Sequence, residues 1–140
     1  MTTSIDTNIV VALWLKSHSA NSIAAQLLGE AQMRGKLIIA APVYAELMAD
    51  SARTESQLDR FASDTGISIE WQIEEDTWRE AGRVYCDYAR RRIRSGGGLP
   101  RRILTDFIIG AHAMVRGYTL LTLNRRDYAA AFPKLKVVSM

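Results

Sequence analysis

Cysteine occurs once in these 140 residues, at Cys86, and histidine only twice. A disulfide within the chain is excluded, and so is a metal cage built on thiolates, which fits a reducing compartment such as the cytoplasm. Cys86 lies in the helical stretch Val84-Tyr85-Cys86-Asp87-Tyr88 with no histidine beside it to activate it, and reads as a small buried apolar group. Long apolar runs are also missing. The stretch Ile9 to Leu15 is too short to span a bilayer, and Asp6 stands before it where a signal peptide would carry positive charge, so neither export nor a membrane anchor is expected. There is no fixed-period repeat, low-complexity segment, interdomain linker or long Pro/Gly-rich tract. With 48% hydrophobic and 24% charged residues, the composition is that of a globular protein, and residues 1–140 are read as a single domain with one core.

The net charge of +3 is modest, but its distribution is uneven. Arg90, Arg91, Arg92, Arg94, Arg101 and Arg102 flank Gly96-Gly97-Gly98. Such a cluster suits an anionic partner, although basic residues also favour the last turn of a helix next to its negative pole.

Strand and helix signals alternate. Strands are expected from Ser4, Leu37, Thr119 and Leu135, and another after Gly66 at Ile67-Ser68. Helices are expected over about Ser19 to Arg34, Thr54 to Thr65, Glu74 to Arg94 and Pro100 to Arg116, with Ser19 an N-cap and Pro100 at a first helical position. Gly35, Gly66 and Gly117 each stand between a helix and a strand, where a left-handed residue ends the helix. Trp78, Ala81, Val84, Tyr85, Tyr88 and Ala89 make an apolar stripe along the longest helix. Alternation of this kind predicts an α/β protein, a three-layer α/β/α sandwich with a mainly parallel central sheet.

Four acids fall where an apolar run meets a turn or the next helix: Asp6, Glu46, Asp106 and Asp127. In a parallel sheet the carboxyl ends of the strands share one edge, where open α/β sheets bind ligands. Carboxylates gathered there repel one another unless a cation offsets them, which predicts bound Mg²⁺ or Mn²⁺ and phosphate chemistry. Each acid has a plainer reading: Asp6 as a helix N-cap, Glu46 as a solvated helix residue, Asp106 as half of a buried salt bridge, and Asn124 with Asp127 as an Asx turn capping a helix. Asp106 stands out because Ile103-Leu104-Thr105-Asp106-Phe107-Ile108-Ile109-Gly110-Ala111 predicts a helix buried nearly all round, where an unpaired carboxylate is costly. Gly110 and Ala113 share its face and leave room for close packing.

Together these residues resemble the PIN-domain ribonucleases, and within them the VapC-type toxins of bacterial toxin–antitoxin pairs. The resemblance covers essentially the whole chain and lies in Ile5-Asp6-Thr7-Asn8, the Glu46 helix, Leu104 to Ala113, and Thr122-Leu123-Asn124-Arg125-Arg126-Asp127-Tyr128. It implies that Asp6, Glu46 and Asp106, with a fourth acid at or after position 124, bind Mg²⁺ or Mn²⁺ and cleave RNA. Asn124 stands where many relatives carry aspartate, so the fourth role passes to Asp127. The resemblance also implies an antitoxin partner and a homodimer. No histidine base is required, and neither His18, in a polar loop, nor His112, off the helical face of Asp106, is expected to be catalytic. Thr7, Asn8, Thr122 and Asn124 are candidates to hold a metal ligand or a phosphate, and Arg101 and Arg102 to grip RNA. Trp14, Leu15, Tyr44, Leu47 and Met48 suit either a protein interface or the core. Two alternatives stay open: an RNA-binding scaffold that does not cleave, and a doubly wound phosphatase or phosphotransferase with Asp6 as nucleophile.

Overall fold

The computed structural model describes residues 1–50, 53–97 and 104–140. Among them five strands alternate with seven helices: β1 (Thr2–Ile5), α1 (Thr7–Trp14), α2 (Asn21–Arg34), β2 (Lys36–Ala40), α3 (Ala41–Asp50), α4 (Glu55–Thr65), β3 (Ile67–Glu70), α5 (Glu75–Arg94), α6 (Leu104–Arg116), β4 (Thr119–Leu121), α7 (Arg125–Ala131) and β5 (Val137–Val138). All strand pairs are parallel, in the order β3-β2-β1-β4-β5, with Ser4 lying between Ile38 and Leu120. Thr3, Ser4 and Ile5, Leu37 to Ala40, and Thr119 to Leu121 are buried, as strands covered by helices on both faces must be. This is the α/β/α sandwich with a parallel sheet that the alternation predicts. The chain runs outward from β1 to β3, then returns to place β4 and β5 on the other side of β1. The strand order therefore reverses between β1 and β4, and the crevice outside their carboxyl ends is where such sheets hold ligands.

The helix ends show where local signals held and where they did not. Thr54 forms a full capping box with Gln57 at the start of α4, and Gly66 and Gly117 take left-handed φ values of 71° and 72°. Gly35 does not: its φ is 155°, and a Cβ there would lie 2.0 Å from the carbonyl oxygen of Met1. Close backbone approach and a positive φ outside the αL region together require glycine at that position. Ser19 is not the N-cap of α2. The helix begins at Asn21 after Ala20, whose N–H donates to His18 Nδ1 at 3.0 Å. Asn21 Nδ2 reaches back to the carbonyls of Ala12 and Leu13 at 2.9 and 3.1 Å, so one short joint closes α1 and opens α2. Pro100 lies outside the described residues, as do Arg101 and Arg102.

The stripe on α5 packs against α6, where Tyr85 stacks on Phe107 with ring centroids 4.9 Å apart. Ala81 is fully buried, whereas Trp78 is 49% exposed. Cys86 is exposed, contrary to expectation, because one residue beyond Tyr85 turns it off the contact stripe. Of the apolar residues with two readings, Leu47 is buried, Trp14 and Tyr44 pack partly buried against the core, and Leu15 and Met48 are exposed.

Candidate active site

Asp6 follows β1 directly and is the N-cap of α1, its Oδ1 accepting from the Thr7 N–H at 2.8 Å. Its other oxygen, Oδ2, accepts from the Thr122 hydroxyl at 2.7 Å, across the switch point from the residue after β4. The cap and the site are thus one residue. Thr122 also accepts from Asn8 Nδ2 at 3.2 Å and from the Asn124 N–H at 3.0 Å. One hydroxyl has one proton and two lone pairs, so these three bonds use its full capacity. Asn8 Oδ1 accepts from the Leu123 N–H at 3.0 Å, locking the turn after β4 to the turn after β1.

Glu46 is carried in by α3, which starts immediately after β2, and its Oε1 accepts from the Thr7 hydroxyl at 2.6 Å. Thr7 therefore ties Glu46 to Asp6, donating its N–H to one acid and its hydroxyl to the other. Asp106 enters from the cavity end of α6 and is half-buried. The fully buried run of that helix is Phe107 to Ala113, so the expectation of a helix enclosed all round holds only beyond Asp106. Gly110 does leave room, for the Phe132 ring: a Cβ there would lie 2.3 Å from a ring carbon.

Asp6, Thr7, Asn8, Glu46, Asp106 and Asn124 line one cavity of about 550 Å³, walled on the apolar side by Val11 and Ala49. Asp127 is not among the lining residues. It stands in the first turn of α7, where its Oδ2 accepts from Asn124 Nδ2 at 2.8 Å. Asn124 makes no side-chain cap bond to α7, so the Asx-turn reading does not describe it.

Burial raises the Asp6 pKa from its ordinary 3.8, with the charge of Glu46 pushing the same way and the bonds from Thr122, Thr7 and Tyr128 opposing it. A carboxylate in that position gains from a nearby cation. Among the described residues no three of His, Cys, Asp or Glu stand close enough to form a closed metal cage. The donor set nonetheless fits Mg²⁺ or Mn²⁺, since it is all oxygen, and Mg²⁺ commonly keeps several waters and takes only one or two carboxylates.

A second polar cluster escaped sequence reasoning. His112, 1% exposed, lies with Nε2 3.1 Å from Glu70 Oε1, and the Tyr118 hydroxyl donates to Glu70 Oε2 at 2.6 Å. Arg116 stands near Tyr118 and adds positive charge beside Glu70. The only sequence signal was a histidine inside an apolar helical run.

A parallel 3-2-1-4-5 sheet with acids from the β1–α1 junction, α3 and α6 around its switch-point crevice defines an α/β domain with an acidic site. Residues 4–133 match the PIN domain family model, and the chain belongs to that family. No curated protein matches it in sequence. Among solved structures it is similar to a chain of a toxin–antitoxin complex from Klebsiella pneumoniae, at 24% identity and a TM-score of 0.65 over 98% of this chain and 96% of that one. VapBC2 from Rickettsia felis, bound to a DNA fragment from its promoter, gives 23% and 0.64 over 100% and 99%. VapBC-1 from nontypeable Haemophilus influenzae gives 19% and 0.66 over 99% and 98%. At these identities the likeness is one of fold.

Proposed function

We propose that this PIN domain is a metal-dependent endoribonuclease, a VapC-type toxin that hydrolyses RNA phosphodiester bonds and is held in check by a cognate antitoxin. The observation that carries the reading is the convergence of Asp6, Glu46 and Asp106, from three separate elements, on one cavity at the switch point of the sheet. One or two of these carboxylates would hold Mg²⁺ or Mn²⁺ directly and the others through its waters, with a further oxygen from the Asn124–Asp127 pair. The ion would supply activation of a water and charge neutralisation at the scissile phosphate. The chain's own part is orientation: Thr122 and the Thr7 N–H fix both oxygens of Asp6, and the Thr7 hydroxyl fixes Glu46. Arg101 and Arg102 are proposed to contact the RNA backbone. Similarity to chains from toxin–antitoxin complexes supports an antitoxin partner, and a cytoplasmic homodimer is part of the same proposal. Among the described residues no helix is long and apolar enough to cross a membrane.

A non-cleaving RNA-binding scaffold is the second reading, favoured by the lack of a ready-made cage of three ligands among the described residues. Asp6 as a phosphotransferase nucleophile is disfavoured, because Asn8 stands where that chemistry wants a second aspartate and its amide is bound to Thr122 and Leu123. Incubating an RNA pool with wild type and Asp106→Asn, in Mg²⁺, Mn²⁺ or chelator, separates the readings. Metal-dependent cutting that the variant loses supports the ribonuclease; a folded wild type that binds RNA without cutting it supports the scaffold.

A further inference from the structure

We infer that Asn124 supplies the fourth oxygen of the acidic site as a neutral carbonyl, and that Asp127 is a positioning residue that decides which end of the Asn124 amide faces the cavity. This rests on the proposed metal site and assigns roles within it. Asn124 lines the cavity with Asp6, Glu46 and Asp106, and Asp127 is not among the lining residues. An ionised carboxylate only accepts hydrogen bonds, so Asp127, meeting the side chain of Asn124 at 2.8 Å, must face its NH₂. The amide is thereby oriented by chemistry, and Oδ1 is the end left to offer to the cavity. An amide turned the other way would point N–H donors at a cation. The backbone of Asn124 is fixed as well, since its N–H donates to Thr122, the hydroxyl that holds Asp6. The fourth position is therefore built on the hydrogen bonds that build the first.

A charge argument separates the two residues. With Asn124 as ligand, a neutral carbonyl and the three carboxylates of the cavity face the ion directly or through its waters, and the charge of Asp127 stands behind Asn124. Replacing Asn124 alone by aspartate would set two carboxylates against each other across the 2.8 Å contact. Exchanging the pair would instead put a charged ligand at position 124 and an amide behind it to donate to that ligand.

Mn²⁺ binding, followed by the electron paramagnetic resonance signal of free Mn²⁺, tests the assignment without reference to cleavage. The full-length proteins compared are wild type, Asp6→Ala, Asp127→Ala, Asn124→Asp and the exchange Asn124→Asp/Asp127→Asn. We expect Mn²⁺ binding that depends on Asp6, a weakening of roughly tenfold in Asp127→Ala, as is typical when a group that orients a metal ligand is removed, and an exchange variant that binds more tightly than Asn124→Asp alone. An exchange variant weaker than Asn124→Asp would make Asp127 itself the ligand and overturn the inference, as would unchanged binding in Asp127→Ala. If Asp127→Ala does not fold, the comparison of Asn124→Asp with the exchange decides alone. Wild type that binds no Mn²⁺ through Asp6 overturns both the inference and the metal site beneath it, whereas binding through Asp6 with the wrong order of variants overturns the inference only.

Discussion

Two clusters hold carboxylates in sheltered positions, and they balance charge differently. Glu70 accepts from the Tyr118 hydroxyl and lies 3.1 Å from His112 Nε2, with Arg116 close by, so its charge is met by one donor and a cation of the chain itself. Asp6 and Glu46 are held by Thr7 and Thr122, which orient them but carry no charge. The first arrangement answers the Glu70 charge from within the chain. The second keeps geometry and leaves negative charge for something else to offset, as a cation-binding site must. Helix α6 joins the two, with Asp106 at its cavity end and His112 in its buried run.

The contrast can be broken most severely at Thr122. Thr122→Val keeps the shape but removes the partner of Asp6 Oδ2, Asn8 Nδ2 and the Asn124 N–H together. An orphaned buried polar group costs about 1–3 kcal/mol, and Asp6 is buried while Asn8 and Asn124 are half-buried, so a loss of about 2–3 kcal/mol is expected in urea unfolding. A loss below about 1 kcal/mol would mean that the hub is not what aligns the acids. Gly110→Ala acts on the helix that both clusters share. Its methyl would meet the Phe132 ring at 2.3 Å and cost about 1–3 kcal/mol by overpacking. Phe132→Leu should relieve part of that cost if the clash is the cause.

Smaller effects test the self-balanced cluster. Tyr118→Phe removes one donor to Glu70 while His112 and Arg116 remain, and should cost about 1 kcal/mol in the same assay with RNA cleavage unaltered. A cleavage defect would show the two clusters to be coupled. The smallest effect is one of pH. Burial holds the His112 pKa below its ordinary 6.5, with Arg116 pushing the same way and Glu70 opposing. A base with a depressed folded pKa contributes stability that is present above the unfolded value and lost as pH falls through 6.5 toward the folded one. Unfolding free energy should therefore decline as pH drops below that point, and His112→Gln should decline less steeply. Equal slopes would assign the acid sensitivity to other groups.

Much of this was legible in the sequence, for a physical reason. Parallel strands buried on both faces are short apolar runs; Asp6 follows β1 directly and α3, which carries Glu46, follows β2 directly, so these two positions map onto one edge of the sheet, whereas Asp106 is brought there by α6 ahead of β4. Asp6 also shows that a capping role and a site role do not exclude each other. What failed depended on contacts between distant segments. Gly35 is explained by Met1, and the exposure of Cys86 by the rotation of α5 against α6. The Ser19 cap was displaced by His18 and Asn21, whose bonds close a joint between two helices. Asn124 and Asp127 are three residues apart, and sequence alone does not say which faces inward. The Glu70 cluster assembles residues 70, 112, 116 and 118, a spacing with no local signature.

The central claim is that the Asp6 cavity needs a cation and the Glu70 cluster does not. Thermal unfolding of wild type, Asp6→Asn and Glu70→Gln across a Mn²⁺ titration tests it directly, because a ligand bound only by the folded state raises Tm as its concentration passes Kd. The account predicts a rise in wild type and in Glu70→Gln, and none in Asp6→Asn. A wild-type Tm that does not respond to Mn²⁺, or a response that survives Asp6→Asn and vanishes in Glu70→Gln, would contradict it.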